Sequence, residues 1–428
     1  MTLLIVAIGL ILLLTLLETP LFVSIAGLSL VCLLSSDLDP TVLQMVLIEM
    51  NRLATMPVLV ALPLFTMVGC LLTASKAPAR MMNFLDAVAG WLPGGSAMAA
   101  LMACAFFTAL TGASGVTIVA MGAVLYPILQ QQQYRRNFSL GLLTTGGSLG
   151  LLFPPSLPII LYGVVAQIDI ARIFKSSLIP GLLLLLVLSG YAFFCGMKLP
   201  GRNSSAEHFS WRKVIDSFAA GIWDWLMVAL ILVGVYGGFV TIAEVSAVVL
   251  VYVLVVECLI LKEIHWRHQL PEIMVESAML AGAIIVILGM ALGFTSYLVD
   301  ARIPDRILGL LTALTENKYL FLAGLNLFLI GVGCVMDIFS AIVIVVPIIV
   351  PVAQRYGIDL YHLAVIFLVN LEIGYSTPPV GMNLFISSLK FQQPVTVLYR
   401  ASIPYLLLLL VCLILVTYLP ALSLWLIG

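Results

Sequence analysis

Charge is scarce in this chain. Only 9% of its 428 residues are Asp, Glu, Lys or Arg, against 63% hydrophobic, where a soluble protein carries about 25% charged residues. That scarcity excludes a soluble fold and marks an integral membrane protein. Basic clusters are missing too, and 19 Lys and Arg face 20 Asp and Glu, so nucleic acid is not an indicated partner. The four histidines, His208, His265, His268 and His362, fall in or near loops by pattern and do not stand at ligand spacing with Cys or Glu. With no HExxH present, an intramembrane metallopeptidase is disfavoured. The seven cysteines (Cys32, Cys70, Cys104, Cys195, Cys258, Cys334, Cys412) lie scattered in apolar runs without CxxC spacing, which indicates neither a disulfide framework nor a zinc site. No GK[ST] follows the glycine-rich stretch Thr144 to Gly150, so an ATP-driven pump lacks its phosphate loop. The first apolar run has no basic residues before it and reads as a retained span, not a cleaved signal.

Long hydrophobic runs are what the chain has. A span needs about 20 apolar residues. The pattern predicts spans at 2–17, 19–36 and 55–75, with interfacial or amphipathic connectors at Asp37–Arg52 and Lys76–Trp91. Gly94 to Gln130 is apolar but interrupted by Thr111-Gly112-Ala113-Ser114-Gly115. Its two arms are too short to cross, so a re-entrant hairpin is expected. A broken helix at 138–166 and a span at 177–197 follow. The polar stretch Lys198 to Asp216 is the expected linker between halves. Beyond it come spans at 222–240 and 243–261, a connector at 262–274, a span at 275–297, and a connector from Asp300 to Glu316. A second hairpin at 318–355, a second broken helix at 361–389 and a span at 402–425 complete the chain.

The two broken helices are related. A shift of 224 carries Pro127 to Pro351, Gly150 to Gly374 and Pro154-Pro155 to Pro378-Pro379 without a gap, and it also superposes the two hairpin tips. Proline removes a backbone donor and clashes with the preceding turn, so each Pro-Pro pair marks a joint between half-helices. Irregular backbone at membrane depth survives only where protein or a wet cavity surrounds it. Paired interruptions in corresponding halves point to a transporter's binding site. Lys76/Arg80, Arg135/Arg136, Lys198/Arg202/Arg212/Lys213, Lys262/Arg267 and Lys390/Arg400 fall on one side, with fewer exceptions at Arg52, Arg172/Lys175, Arg302/Arg306, Lys318 and Arg355. The positive-inside rule makes that side cytoplasmic. Five crossings plus one hairpin per half then insert the second half upside-down. The expected fold is an all-α polytopic membrane protein built as an inverted repeat with two re-entrant hairpins and two broken helices.

A half-helix ending in mid-membrane leaves carbonyls free, and one beginning there leaves N–H groups free. The first suit a hard cation such as Na⁺ and the second an anion. Candidate ligands at the second joint are Gly333, Asp337, Gly374, Thr377 and Val380; the first joint offers Thr111, Ser114, Gly150, Phe153 and Ser156. Substrate candidates are Ser114, Pro155, Pro379 and Asn383. Asp337 could ligate Na⁺ or bond the opposite joint, and Glu372 could lock its half-helix by accepting backbone N–H groups. Glu18 and Glu244 read as helix-start or interface residues, and Asn370 and Asn383 as amides that bond helix to helix.

Thr144 to Gly163 (TTGGSLGLLFPPSLPIILYG), Val369 to Phe385 (VNLEIGYSTPPVGMNLF), Met336-Asp337 with the apolar run to Pro347 and Pro351, and Ala61 to Phe65 resemble the large membrane subunit of tripartite ATP-independent periplasmic (TRAP) transporters. The resemblance covers essentially the whole chain. It implies an elevator-type secondary transporter in the bacterial inner membrane, with Na⁺ as coupling ion and a small organic anion as cargo. It implies two partners, a small four-span membrane subunit and a periplasmic substrate-binding protein. Residues 93–168 and 318–390 would form the mobile transport domain. Residues 1–92 and 222–317 would be scaffold spans and arm helices, 169–221 a span and cytoplasmic linker, and 391–428 the C-terminal span. A stand-alone Na⁺/dicarboxylate-type symporter is the alternative.

Overall fold

The computed structural model describes residues 27, 51, 56–198, 210–237, 240–300, 317–378 and 380–427. The expected spans at 2–17 and 19–36, the helix at 37–52, most of the connector at 300–316, most of the linker at 198–216, Glu18, His208 and Pro379 lie outside these residues. The described chain is all helix: α1 (Pro57–Ala74), α2 (Ala77–Ala89), α3 (Gly95–Thr111), α4 (Ser114–Gln131), α5 (Arg136–Gly146) with a 3₁₀ turn Leu149–Leu152, α6 (Leu157–Ala166), α7 (Ile170–Met197), α8 (Trp211–Ala220) and α9 (Ile222–Gly237). Then come α10 (Ile242–Leu254) running into a π-turn Val255–Ile260, α11 (Gln269–Asp300), α12 (Lys318–Val335), α13 (Ile338–Arg355), α14 (Leu360–Tyr375), α15 (Met382–Phe391), α16 (Val395–Tyr418) and α17 (Ala421–Leu424). Among the described residues seven helices are long and apolar enough to cross a membrane, or up to ten if each bent pair counts as one span.

The element boundaries repeat. Helices α4 and α13 are offset by 224 at both ends. Past the joints the offset becomes 225, since α6 spans 157–166 and α15 spans 382–391. Each of these ends on a left-handed glutamine, Gln167 at φ 55° and Gln392 at φ 50°. One extra residue therefore sits between the second Pro-Pro pair and its following half-helix. The packing repeats as well. A Cβ on Gly150 would come within 2.0 Å of Ala105 O and 2.4 Å of Ala109 N, and one on Gly374 within 2.7 Å of Gly333 Cα. Ala109 and Gly333 are themselves 224 apart, so each joint presses backbone to backbone on the first arm of its hairpin.

The two hairpin bases are tied to different helices. At the base of α3–α4, Gln132 Nε2 donates to Ser96 Oγ at 2.8 Å, and Gly94 lies against Ala192 and Gly196 near the end of α7 at Lys198. At the base of α12–α13, Lys318 Nζ donates to Gly357 O at 2.9 Å, and Tyr418 at the end of α16 donates to Tyr319 O. Midway along α16, Tyr405 Oη donates to Phe138 O near the start of α5 at 2.9 Å.

Arg80 ties α2 to α9 and to the π-turn that ends α10. Its Nε donates to Asp224 on α9 at 2.7 Å, its Nη1 to Glu263 at 2.6 Å and its Nη2 to Glu257 in the π-turn at 3.0 Å. Phe84, Phe218 and Trp225 cluster beside it, joining α2, α8 and α9. The sequence reading places 211–216 in the linker and 269–274, the start of α11, in a connector. Instead Ser210 caps α8, whose Phe218 stacks on Trp225, and α11 is one helix from Gln269.

Candidate functional site

The two joints and two hairpin tips converge. The first tip turns at Gly112-Ala113 and the second at Met336-Asp337. Ser114 Oγ, on the first tip, donates to Asn383 Oδ1 at 2.8 Å, although 269 residues separate them. Thr144 Oγ1 donates to Ser387 Oγ at 2.9 Å across the same contact. The first joint thus meets the helix that leaves the second joint, and two expected substrate residues, Ser114 and Asn383, touch directly.

At the first joint, Thr108 Oγ1 lies 2.7 Å from Gly147 O and 2.9 Å from Thr117 Oγ1, and Thr111 Oγ1 lies 3.3 Å from Thr117 Oγ1. Gly150 O accepts from Phe153 N and Phe153 O from Ser156 N, both at 3.0 Å. Pro155 follows Pro154 through a cis peptide bond. Ser156 is buried and its Oγ has no protein partner. At the second joint, Cys334 Sγ donates to Thr377 O at 3.1 Å, and Gly381 N donates to Cys334 O at 3.0 Å, so the tip and the joint are laced together. Thr377 N donates to Gly374 O, and its hydroxyl to Ile373 O at 2.8 Å. Val380 is exposed beside Gly381. Gly333 is buried against Gly374.

Several sequence expectations change here. Asp337 reaches neither joint by hydrogen bond: it caps α13, accepting from Ser340 N at 3.0 Å and Ser340 Oγ at 2.5 Å. A carboxylate at a helix start is a strong acceptor for the first turn, which is why the tip holds it. Glu372 accepts no backbone N–H. It is fully buried with both oxygens unpartnered, because every N–H in the middle of α14 is already in the helix ladder. His362, read as in or near a loop, lies in the first turn of α14 and is buried, with Nδ1 3.2 Å from Ser423 Oγ and Nε2 3.2 Å from Thr417 O. Glu244 sits three residues into a capping box whose cap is Thr241. Asn370 bonds helix to helix, donating to Asn326 Oδ1 at 2.8 Å. Among the described residues no group of three or more His, Cys, Asp or Glu is placed to hold a metal ion.

A cavity of about 590 Å³ opens where the tips meet α1 and α11. Its lining includes Ala113 and Ser114 from one tip, Asp337 and Phe339 from the other, and Thr73 and Glu276 from α1 and α11. Helix α1 reaches the first tip at Gly69, where a Cβ would lie 2.7 Å from Thr111 Cα. Tyr375 also lines this cavity, and its hydroxyl accepts the Ile338 N–H that opens α13. Thr73, Glu276 and Tyr375 are not among the sequence candidates. A carboxylate at the start of the apolar run 275–297 is the signal that marks Glu276.

Residues 8–422 match the family described as the DctM component of tripartite ATP-independent periplasmic transporters. The chain belongs to that family. The DctM-type chain is 34% identical over 368 residues to the C4-dicarboxylate TRAP transporter large permease protein DctM of Pseudomonas aeruginosa, covering 86% of this chain and 85% of that one. It is 32% identical to the isethionate TRAP transporter permease protein DctMQ of Oleidesulfovibrio alaskensis, covering 86% of this chain and 58% of that one. The fold resembles the crystal structure of the Alcanivorax borkumensis YdaH transporter, with a TM-score of 0.66, 12% identity and 89% of each chain covered. The DctM-type chain is accordingly a multi-pass membrane transporter subunit and not an enzyme. Membership in a tripartite family sets aside the stand-alone symporter.

Proposed function

We propose that this chain is the permease of a Na⁺-coupled importer for a small organic anion, working as an inverted-repeat elevator in the inner membrane. A small four-span membrane subunit and a periplasmic binding protein complete the assembly, and the binding protein delivers the anion. The observation that carries this reading is the pairing of each tip with its own joint, backbone on backbone, at Gly150 with Ala105 and Ala109 and at Gly374 with Gly333. Such close approach gathers carbonyl oxygens where a cation can replace its water with them. Orphaned buried polar atoms fit an occupant there: Ser156 Oγ at one joint, Ser376 Oγ and Glu372 at the other. Native proteins leave few such groups unpaired, and each calls for a water or an ion.

Thr111, Ser114, Gly150, Phe153 and Ser156 would hold one Na⁺, and Gly333, Gly374, Thr377 and Val380 a second. Asp337 would act through the helix start it caps and through its charge at the tip. Ser114, Pro155, Pro379 and Asn383 would face the substrate carboxylate, and Asn383 Nδ2 is buried and free to donate. Dicarboxylates and isethionate, named for the two relatives, share an anionic group of that kind. Each Na⁺ gains roughly 2.3 kcal/mol per 100 mV of membrane potential, so two ions can drive strong accumulation of an anion.

The elevator reading draws on the level of the tips. Hairpin arm α3 has 17 residues, so the first tip lies about 25 Å from its base at 1.5 Å per residue. Yet that tip meets α1 at Gly69 and Thr73, within its last two turns before Lys76. The hairpin base therefore extends past the end of α1 that carries the basic residues. With that end cytoplasmic, the transport domain stands in its inward position. Cross-linking tests this directly. In a background without native cysteines, Thr73→Cys and Val116→Cys, both lining the cavity, joined by a short bis-maleimide should abolish uptake. Full uptake after quantitative cross-linking would contradict a tip that travels along α1.

A further inference from the structure

The cavity is acidic where an anion carrier would be expected to be basic. Among its described lining residues the charged groups are Asp337 and Glu276, and no Lys, Arg or His is present. The two carboxylates differ in kind. Asp337 belongs to the second tip, moves with it, and has both oxygens engaged by Ser340. Glu276 belongs to α11, in the second turn after the basic connector with Lys262 and Arg267, and makes no hydrogen bond or ion pair with a described residue. Cys70 on α1 stands within its electrostatic reach. Nothing on the described wall neutralises it.

We propose that Glu276 is a release residue: its charge lowers the affinity of the inward cavity for the anionic substrate and so favours discharge into the cytoplasm. This rests on the transporter reading given above. The logic is positional. Substrate and ion ligands ride on the hairpin tips and joints, whereas Glu276 is fixed to the scaffold near its cytoplasmic end. The substrate therefore meets this carboxylate only when the tips stand at the level seen here. With the tips raised toward the periplasm, α11 presents its apolar middle instead, and Glu276 is a screened charge more than a Debye length of about 8 Å away. A fixed scaffold charge thus weakens binding on one side of the membrane and leaves the other side almost untouched. At separations of several ångströms in a wet cavity, one like charge weakens binding by a few-fold to tenfold.

The test uses the complete assembly in proteoliposomes under an inward Na⁺ gradient, with labelled succinate and labelled isethionate on their binding proteins. The lumen holds graded unlabelled acid, and the luminal concentration that halves uptake is measured. Glu276→Gln should lower that concentration about threefold or more, while half-saturation for the loaded binding protein outside stays within twofold. Glu276→Asp should match wild type, as should Glu272→Gln, an exposed carboxylate one turn away that does not line the cavity. In the wild type, raising luminal choline chloride should lower the half-inhibiting concentration toward that of Glu276→Gln, a measurement that needs no variant. An unchanged value in Glu276→Gln, together with no salt effect in the wild type, would overturn the role of Glu276 alone. A raised value would overturn it too, since Glu276 would then attract its substrate. Failure of the wild type to accumulate either anion would instead overturn the transporter reading beneath it.

Discussion

Glycine at the joints is a matter of contact distance. A methyl on Gly150 would meet backbone atoms of α3 at 2.0 and 2.4 Å, and one on Gly374 would meet Gly333 at 2.7 Å. Backbone cannot swing aside as a side-chain tip can. Gly150→Ala should therefore cost about 1–3 kcal/mol as an overpacked site does, read as a lower melting temperature in detergent, and Gly374→Ala somewhat less. Addition of Na⁺ should raise the wild-type melting temperature, and the rise should shrink in both variants, since a ligand that binds only the native state stabilises it. Asp337 separates a cap from an ion ligand. If its carboxylate serves mainly Ser340, Asp337→Asn should keep the Na⁺ half-saturation of uptake within about twofold, whereas Asp337→Ala should lose about 1 kcal/mol of stability. A Na⁺ half-saturation raised tenfold in Asp337→Asn would restore a direct ion role.

Elements are held by a single cation among three carboxylates. Arg80 is 13% exposed, Asp224 3% and Glu257 0%, so the cluster is largely out of water. Removing one partner of a buried ion pair costs about 3–5 kcal/mol, because it strands the other charge. Arg80→Met should lower folded yield and melting temperature by an amount in that range, and adding Asp224→Asn and Glu257→Gln should recover part of it. No recovery would mean that the arginine acts by its stem and not its charge. The arrangement matters for transport because it binds α2, the connector to the first hairpin, rigidly to α9 and the π-turn. Much of this element layer was legible in the sequence. Pro-Pro pairs, short apolar arms and a constant shift mark the hairpins and joints, since backbone chemistry there is local. The Arg80 cluster was not, because its members stand 144, 177 and 183 residues apart and no periodicity links them. The same reason hid the Ser114–Asn383 bond, though both residues stood among the substrate candidates, and it hid Glu276, whose role depends on which helix the tips approach.

For the whole molecule, we propose two inverted halves whose joints bind ions and whose tips carry cargo past a fixed scaffold. The hairpin bases are held by separate contacts, Ser96 with Gln132 in the first and Lys318 with Gly357 in the second. In this proposal Na⁺ drives accumulation through those joints. Uptake by proteoliposomes containing this chain and its small membrane partner tests it most directly, with the binding protein and a labelled organic acid outside. Accumulation above the external concentration is expected only with an inward Na⁺ gradient and the binding protein present, and its loss is expected in Gly150→Ala and Gly374→Ala variants that still purify as folded protein. Flux that runs only downhill, or accumulation indifferent to Na⁺, would contradict it.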